Sequence, residues 1–251
     1  NNCVSCGIST VSMFCLDFLT LLALFTGGFV PIHLIVLSFG YAQYYKGIKM
    51  GPKVLKVAHE FGEPYFLYFY IPALIVLIWI IFYSKKHFPD LYRRIVVGLI
   101  AGAIATIGLD WIRQMGVITG WLPGDTPEMF GKMVTGSSSF SSYYWIGQFF
   151  HFMNGADFGL VFTLVFGNFI SYKKTIIFAV LWLLVMEFFM MVGPPMGPMV
   201  GLFGVNWMWP QLFLLTLVAH IVHGTILGTL THLWLKPEDN KWLLPFLNSK
   251  N

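Results

Sequence analysis

Charge is scarce in this chain. Of 251 residues, 15 are Lys or Arg and 11 are Asp or Glu, so 10% are charged, where an ordinary soluble domain carries roughly 25%. So few charges cannot clothe a water-facing surface of this size, which excludes a soluble globular fold. Cysteine is scarcer still. Cys3, Cys6 and Cys15 are an odd number and two lie on a short polar leader, which excludes a disulfide framework. Cys3 and Cys6 have the spacing of redox and metal sites, but no second such pair exists, and Gly7 stands where covalent haem attachment requires His. A continuous basic face is also lacking. Lys and Arg sit in short clusters between apolar stretches, so the net charge of +4 excludes nucleic acid as a partner. No nucleophile elbow, P-loop, dinucleotide fingerprint or H-E-x-x-H occurs, and a catalytic reading has no motif to stand on.

Apolar residues are abundant: 57% of the chain is hydrophobic and 18% aromatic. A membrane-spanning helix needs ~20 mostly apolar residues, and six stretches meet or nearly meet that need, at about 11–43, 65–84, 94–115, 143–170, 175–193 and 208–235. The sequence therefore predicts an all-α, polytopic transmembrane bundle of about six spans. Its parts are an N-terminal two-span part over 1–92, a four-helix unit over 93–235 and a polar tail over 236–251. The first stretch carries Gly27, Gly28 and Pro31 and is expected to form one tilted, kinked span; Pro72 is expected to kink the second. Residues 116–142 read as an ordered surface loop with one short helix, given Pro123, Gly124, Pro127, Gly136 and the run Ser137 to Ser139. The uncharged loop 194–207 is expected in the interface or against protein. Tyr143, Tyr144, Trp145, Trp207 and Trp209 suit an aromatic belt.

Lys85, Lys86, Arg93, Arg94, Lys173, Lys174 and Lys236 fall on one side if every stretch crosses, and the positive-inside rule makes that side, with the C-terminus, cytoplasmic in a bacterial inner membrane. Lys46, Lys49, Lys53 and Lys56 then sit outside, against the rule. An amphipathic interfacial helix or a docked partner over 44–64 would resolve the conflict.

An internal repeat organises the second part. His151 to Gly159 and His220 to Gly228 both read H-x-x-x-G-x-x-x-G, while Asp110 precedes Gly116 and Glu187 precedes Gly193 by the same six positions. Spans three plus four and spans five plus six are therefore two copies of one helical hairpin. The i, i+4, i+8 spacing puts the glycines on one face, where close helix packing is their expected role. The ionisable residues are more costly: a charge in hydrocarbon costs roughly 2.5 to 3.5 kcal/mol and tends to be paired or functional. At ~1.5 Å rise per residue, Asp110, His151, Glu187 and His220 all fall in the middle or outer half of the slab, where they can form one cluster. Asp110 has a local partner in Arg113, three residues on. Glu187 and Asp157 have none, and His223, which replaces Asn154 between the copies, is expected to bond to backbone or to another span.

Such a cluster can relay protons, bind a cation or ligate a metal or haem. His151 and His220 are candidate haem b ligands, with the glycines leaving room for the macrocycle. Met196 and Met199, with Met186, Met190, Met191 and the histidines, are candidate soft ligands for copper, though Met is also an ordinary gap-filler. Residues 93–233 resemble a group of uncharacterised bacterial multi-helix membrane proteins through R-x-x-x-G-L-I-A-G-x-I-A-T (Arg94 to Thr106), G-D-T-P-E-M-F-G (Gly124 to Gly131), H-F-x-x-G-x-x-F-G (His151 to Gly159) and the closing glycine motif; the resemblance implies no activity. The functional expectation is a non-catalytic membrane subunit within a larger assembly, such as an electron-transfer complex, with membrane lipid and other subunits as partners and lipid, quinone or haem between its helices. The alternatives are a proton-coupled or small-solute transporter using Asp110, His151, Glu187 and His220, and a haem or copper protein.

Overall fold

A computed structural model describes residues 10–166 and 171–235, and every regular element among them is helical. The Cys3–Cys6 pair, the last residues of the fourth stretch and the tail 236–251 lie outside the described residues. The helices are α1 (Thr10–Leu24), α2 (Val30–Gly40), α3 (Pro52–Tyr65), α4 (Ile71–His87), α5 (Pro89–Thr119), α6 (Thr126–Thr135), α7 (Phe140–Val165), α8 (Tyr172–Val192), α9 (Met196–Val200) and α10 (Gln211–Trp234).

Two proline-containing stretches stay continuous by widening a turn. The residues Phe25–Phe29 form a π turn between α1 and α2, just before Pro31, and Phe66–Tyr70 form another between α3 and α4, just before Pro72. Proline removes one ladder hydrogen bond and crowds the preceding turn; the wider π turn accommodates the ring without ending the helix. The first stretch is accordingly one kinked rod, and Gly27 meets Leu160 of α7 and Leu77 of α4 at this bend.

Five helical rods are long and apolar enough to cross a membrane: Met13–Tyr45, Pro52–His87, Pro89–Thr119, Tyr172–Val192 and Gln211–Trp234. They expose large apolar side chains such as Phe82, Trp111, Ile118 and Phe189, the surface a membrane protein presents to lipid. The expected fourth span is α7, whose 26 residues reach about 39 Å, long enough to cross, though its composition is more polar than that of those five rods. It is the inner helix of the bundle, burying His151, Asn154 and Asp157 against its neighbours.

Both copies of the repeat are hairpins closed by glycine. Gly98 and Gly102 of α5 face Gly155 and Gly159 of α7, and a Cβ on Gly98 would stand 2.7 Å from Leu160 Cα. In the second copy a Cβ on Gly224 or Gly228 of α10 would stand 2.6 Å from Val180 Cα or 2.7 Å from Ile176 Cα on α8. No real Cβ fits so close, so the glycines are packing residues, as their spacing predicts. Thr163 and Arg94 tie α7 to α5 reciprocally: the Thr163 hydroxyl donates to Arg94 O (2.8 Å) and Arg94 NH1 donates to Thr163 O (3.1 Å). α10 packs on α5 and joins the two copies.

The basic segment expected as a loop is largely α3, a helix that buries Val54, Val57, Ala58 and Gly62 while Lys53 and Lys56 stay exposed. It packs on α6, the short helix expected within 116–142, and the two form a cap at one end of the bundle. The first half of the loop 194–207 lies against protein: it forms α9, and Met196 and Val200 are buried with Met191 and Leu212, while Leu202, Val205 and Trp207 are exposed.

Candidate functional site

The repeat brings its acids and imidazoles together in matching pairs. In the first copy His151 Nε2 lies 2.8 Å from Asp110 Oδ1, across the α5–α7 interface. In the second, His220 Nδ1 lies 2.8 Å from Glu187 Oε2, across the α8–α10 interface. Glu187, without a basic residue within a turn of its own helix, thus finds its partner on the neighbouring one. The four residues are buried or half-buried, and each pair offsets part of the desolvation that either member would suffer alone.

The two pairs differ in how they are tied. Asp110 Oδ1 also accepts from Arg113 Nε at 2.8 Å, the local pairing expected from the sequence, and Arg113 reaches on to Asp125, the residue preceding α6. One guanidinium thus anchors the first pair to the cap. In the second copy the residue at the position of Arg113 is Met190. There His220 Nδ1 donates to Thr216 O at 2.9 Å, one turn back on α10. That hydrogen is aimed at the carbonyl, and neither Glu187 oxygen receives a directed hydrogen bond. A carbonyl only accepts, so Nδ1 carries a hydrogen, and in the neutral ring Nε2 keeps its lone pair.

His151, His220 and His223 border one cavity of about 210 Å³, enclosed by α2, the α5–α6 region, α7, α8, the segment around α9 and α10. His223 corrects an expectation. It is 1% exposed and neither ring nitrogen has a hydrogen-bond partner, rather than bonding to backbone or another span. It lies within electrostatic reach of His151, His220 and Asp110, between the two pairs. Asn154, its counterpart in the first copy, also borders the cavity and donates to Phe150 O at 2.7 Å.

Asp157 does not join this cluster. It is 1% exposed, both carboxyl oxygens lack a partner, and it lies within electrostatic reach of the equally unpartnered Tyr70 hydroxyl on the N-terminal helices. Met196 borders the cavity, whereas Met199 packs into the apolar cluster around α9. Among the described residues no group of three or more His, Cys, Asp or Glu is arranged to hold a metal ion. The cavity is also too small for a haem macrocycle, since ~150 Å³ already corresponds to a single benzene ring.

Sequence reasoning assigned Arg113 only to Asp110 and passed over Asp125 and Thr216. The only signal for Thr216 is its i−4 position to His220, which any helical histidine has. In comparisons with family models, curated proteins and solved structures nothing matches this chain, so its function is read from the geometry of the two pairs and the cavity between them.

Proposed function

We propose that this chain is a proton-handling membrane protein, in which protons pass between two acid–imidazole pairs at the central cavity. The observation that carries the reading is the convergence of both pairs, 2.8 Å each, on one cavity with the unpartnered His223 between them. Imidazole is the side chain best suited to accept and release protons near neutral pH, and carboxylates beside it stabilise the charged form. Such groups inside a bilayer are costly to keep, and packing alone does not account for two copies of them.

We place the protein in a bacterial inner membrane with the end of the bundle bearing Lys85, Lys86, Lys173 and Lys174 on the cytoplasmic side, supported by the positive-inside rule. The basic segment and part of the uncharged loop pack within the chain: α3 is amphipathic, and Met196 and Val200 are buried with Met191 of α8 and Leu212 of α10, while Leu202, Val205 and Trp207 stay exposed.

The test is proton flux. In liposomes containing a pH-sensitive dye, the wild-type protein is expected to dissipate an imposed pH gradient, and Glu187→Gln or Asp110→Asn to slow it by at least about tenfold, the lower range of what a positioned proton-transfer group contributes. Wild-type flux no faster than that of empty liposomes, or unchanged in both variants, would overturn the reading.

A further inference from the structure

The cavity has a polar wall with unused hydrogen-bonding capacity and otherwise apolar walls. On the polar side both nitrogens of His223 are unpartnered, and His220 Nε2 and His151 Nδ1 make no hydrogen bond among the described residues. Facing them are thioether and aromatic side chains, among them Met129, Phe130, Phe158 and Met186, which suit a flat ring. The volume of about 210 Å³ exceeds the ~150 Å³ that admits benzene and accommodates one substituted six-membered ring.

Charge on the wall selects the head group. The cation bordering the cavity, Arg113, is already bonded to Asp110 and Asp125, and Asp110 and Glu187 stand directly behind the imidazoles. An anionic head would meet two carboxylates and no available cation, whereas an uncharged hydroxyl or carbonyl can bond to imidazole.

An apolar groove adjoins the cavity on the lipid side. A second cavity, about 420 Å³ and lined almost wholly by apolar residues, lies between α1–α2 on one side and α7 and α8 on the other. Ile32 and Val36 of α2 line both cavities. Phe29 and Val36 at this groove are exposed on the lipid-facing surface, and Trp182 stands on its α8 side. Two aliphatic side chains thus stand between the lipid-facing groove and the cavity of the histidines.

We infer that the central cavity binds a membrane-dissolved ring compound with an uncharged oxygen head group, of the phenol or quinol class, which enters between α2 and α8 and hydrogen-bonds to His220 and His223. The inference rests on the proton-handling reading only in taking the imidazoles as groups that exchange a proton with the bound hydroxyl; binding itself does not require flux.

The test uses the full chain in lipid nanodiscs and a short-tailed benzoquinol as the titrant, with decanoate as the anionic comparison. Saturable binding at one site per chain is expected, weakened about tenfold or more by His223→Leu, the loss of a single good hydrogen bond. Val36→Trp, which fills the boundary between groove and cavity on the α2 side, is expected to weaken or slow binding while keeping all three imidazoles, and decanoate is expected not to compete. Glu187→Gln should bind the quinol within about twofold of wild type while losing proton flux. Quinol uptake that never saturates, that is unchanged from wild type in both Val36→Trp and His223→Leu, or that decanoate displaces equally well would overturn the inference. Binding without flux in the wild-type chain overturns the proton reading alone; flux without binding overturns this inference alone.

Discussion

At the scale of single residues, two histidines of the cavity, His220 and His223, face opposite consequences when removed. His220 is bonded to Thr216 O and in ion-pair contact with Glu187, so His220→Leu leaves a carboxylate and a carbonyl in an apolar surrounding. Breaking a buried pair by deleting one member costs about 3–5 kcal/mol. His223 has nothing to lose: both nitrogens are already without partners. A buried unpartnered polar group costs about 1–3 kcal/mol, so His223→Leu is expected to hold or raise the thermal unfolding midpoint in detergent while proton flux falls. A His223→Leu protein that unfolds as early as His220→Leu would mean that His223 is structural, with a partner made in another state of the bundle. Imidazole retained at a stability cost is what a functional role predicts, and the two variants measure that cost against a neighbour of the same chemistry.

At the scale of helices, the glycines make a prediction with an internal control. Gly102 and Gly224 sit where two backbones cross without room for a Cβ, and inserting side chains into such contacts costs typically about 1–3 kcal/mol. Gly102→Val and Gly224→Val are therefore expected to lower the unfolding midpoint in step, one per copy. Gly40 lies in α2 with only an ordinary 3.7 Å contact to Pro194, and Gly40→Ala should be neutral or stabilising by up to about 1 kcal/mol, the cost of glycine within a helix. Destabilisation by Gly40→Ala equal to that of the other two would show that glycine flexibility, not close approach, matters. These hairpins were legible in the sequence because an i, i+4, i+8 pattern fixes a helix face, and the same pattern set Asp110 against His151 and Glu187 against His220. The cavity was not legible. Its walls come from six separated segments, and its lipid-side opening depends on α2 and α8 standing apart, which no local pattern encodes. Nor was the continuity of α3 with α4 legible: residues 44–64 read as a loop and Pro72 as a kink, and the π turn that absorbs Pro72 has no sequence signature of its own.

At the scale of the whole molecule, the two ends of the bundle differ in kind. One end carries Lys85, Lys86, Lys173 and Lys174 at the termini of α4 and α8; the other carries the α3–α6 cap, where exposed Lys53 and Lys56 share the surface with Glu60. The positive-inside rule counts Lys and Arg close to the ends of spans. Pro52–His87 is a rod of 36 residues, about 54 Å long, while the hydrocarbon core is about 30 Å. With α4 filling the core, most of α3 stands clear of the lipid, and its lysines belong to an extramembrane cap rather than to a short connecting loop. The apparent conflict over 44–64 is thereby reduced, and the orientation rests on the α4, α5 and α8 termini. With Cys3, Cys6 and Cys15 replaced by Ser, a single cysteine at Lys53→Cys is expected to react with a membrane-impermeant thiol reagent on intact spheroplasts, and one at Lys173→Cys only after permeabilisation. The reverse pattern would invert the bundle. It would also carry the cavity, which lies toward the capped end beside Arg113 and Asp125, from the outer half of the membrane to the inner, and a proton entering through the cap would then come from the cytoplasm.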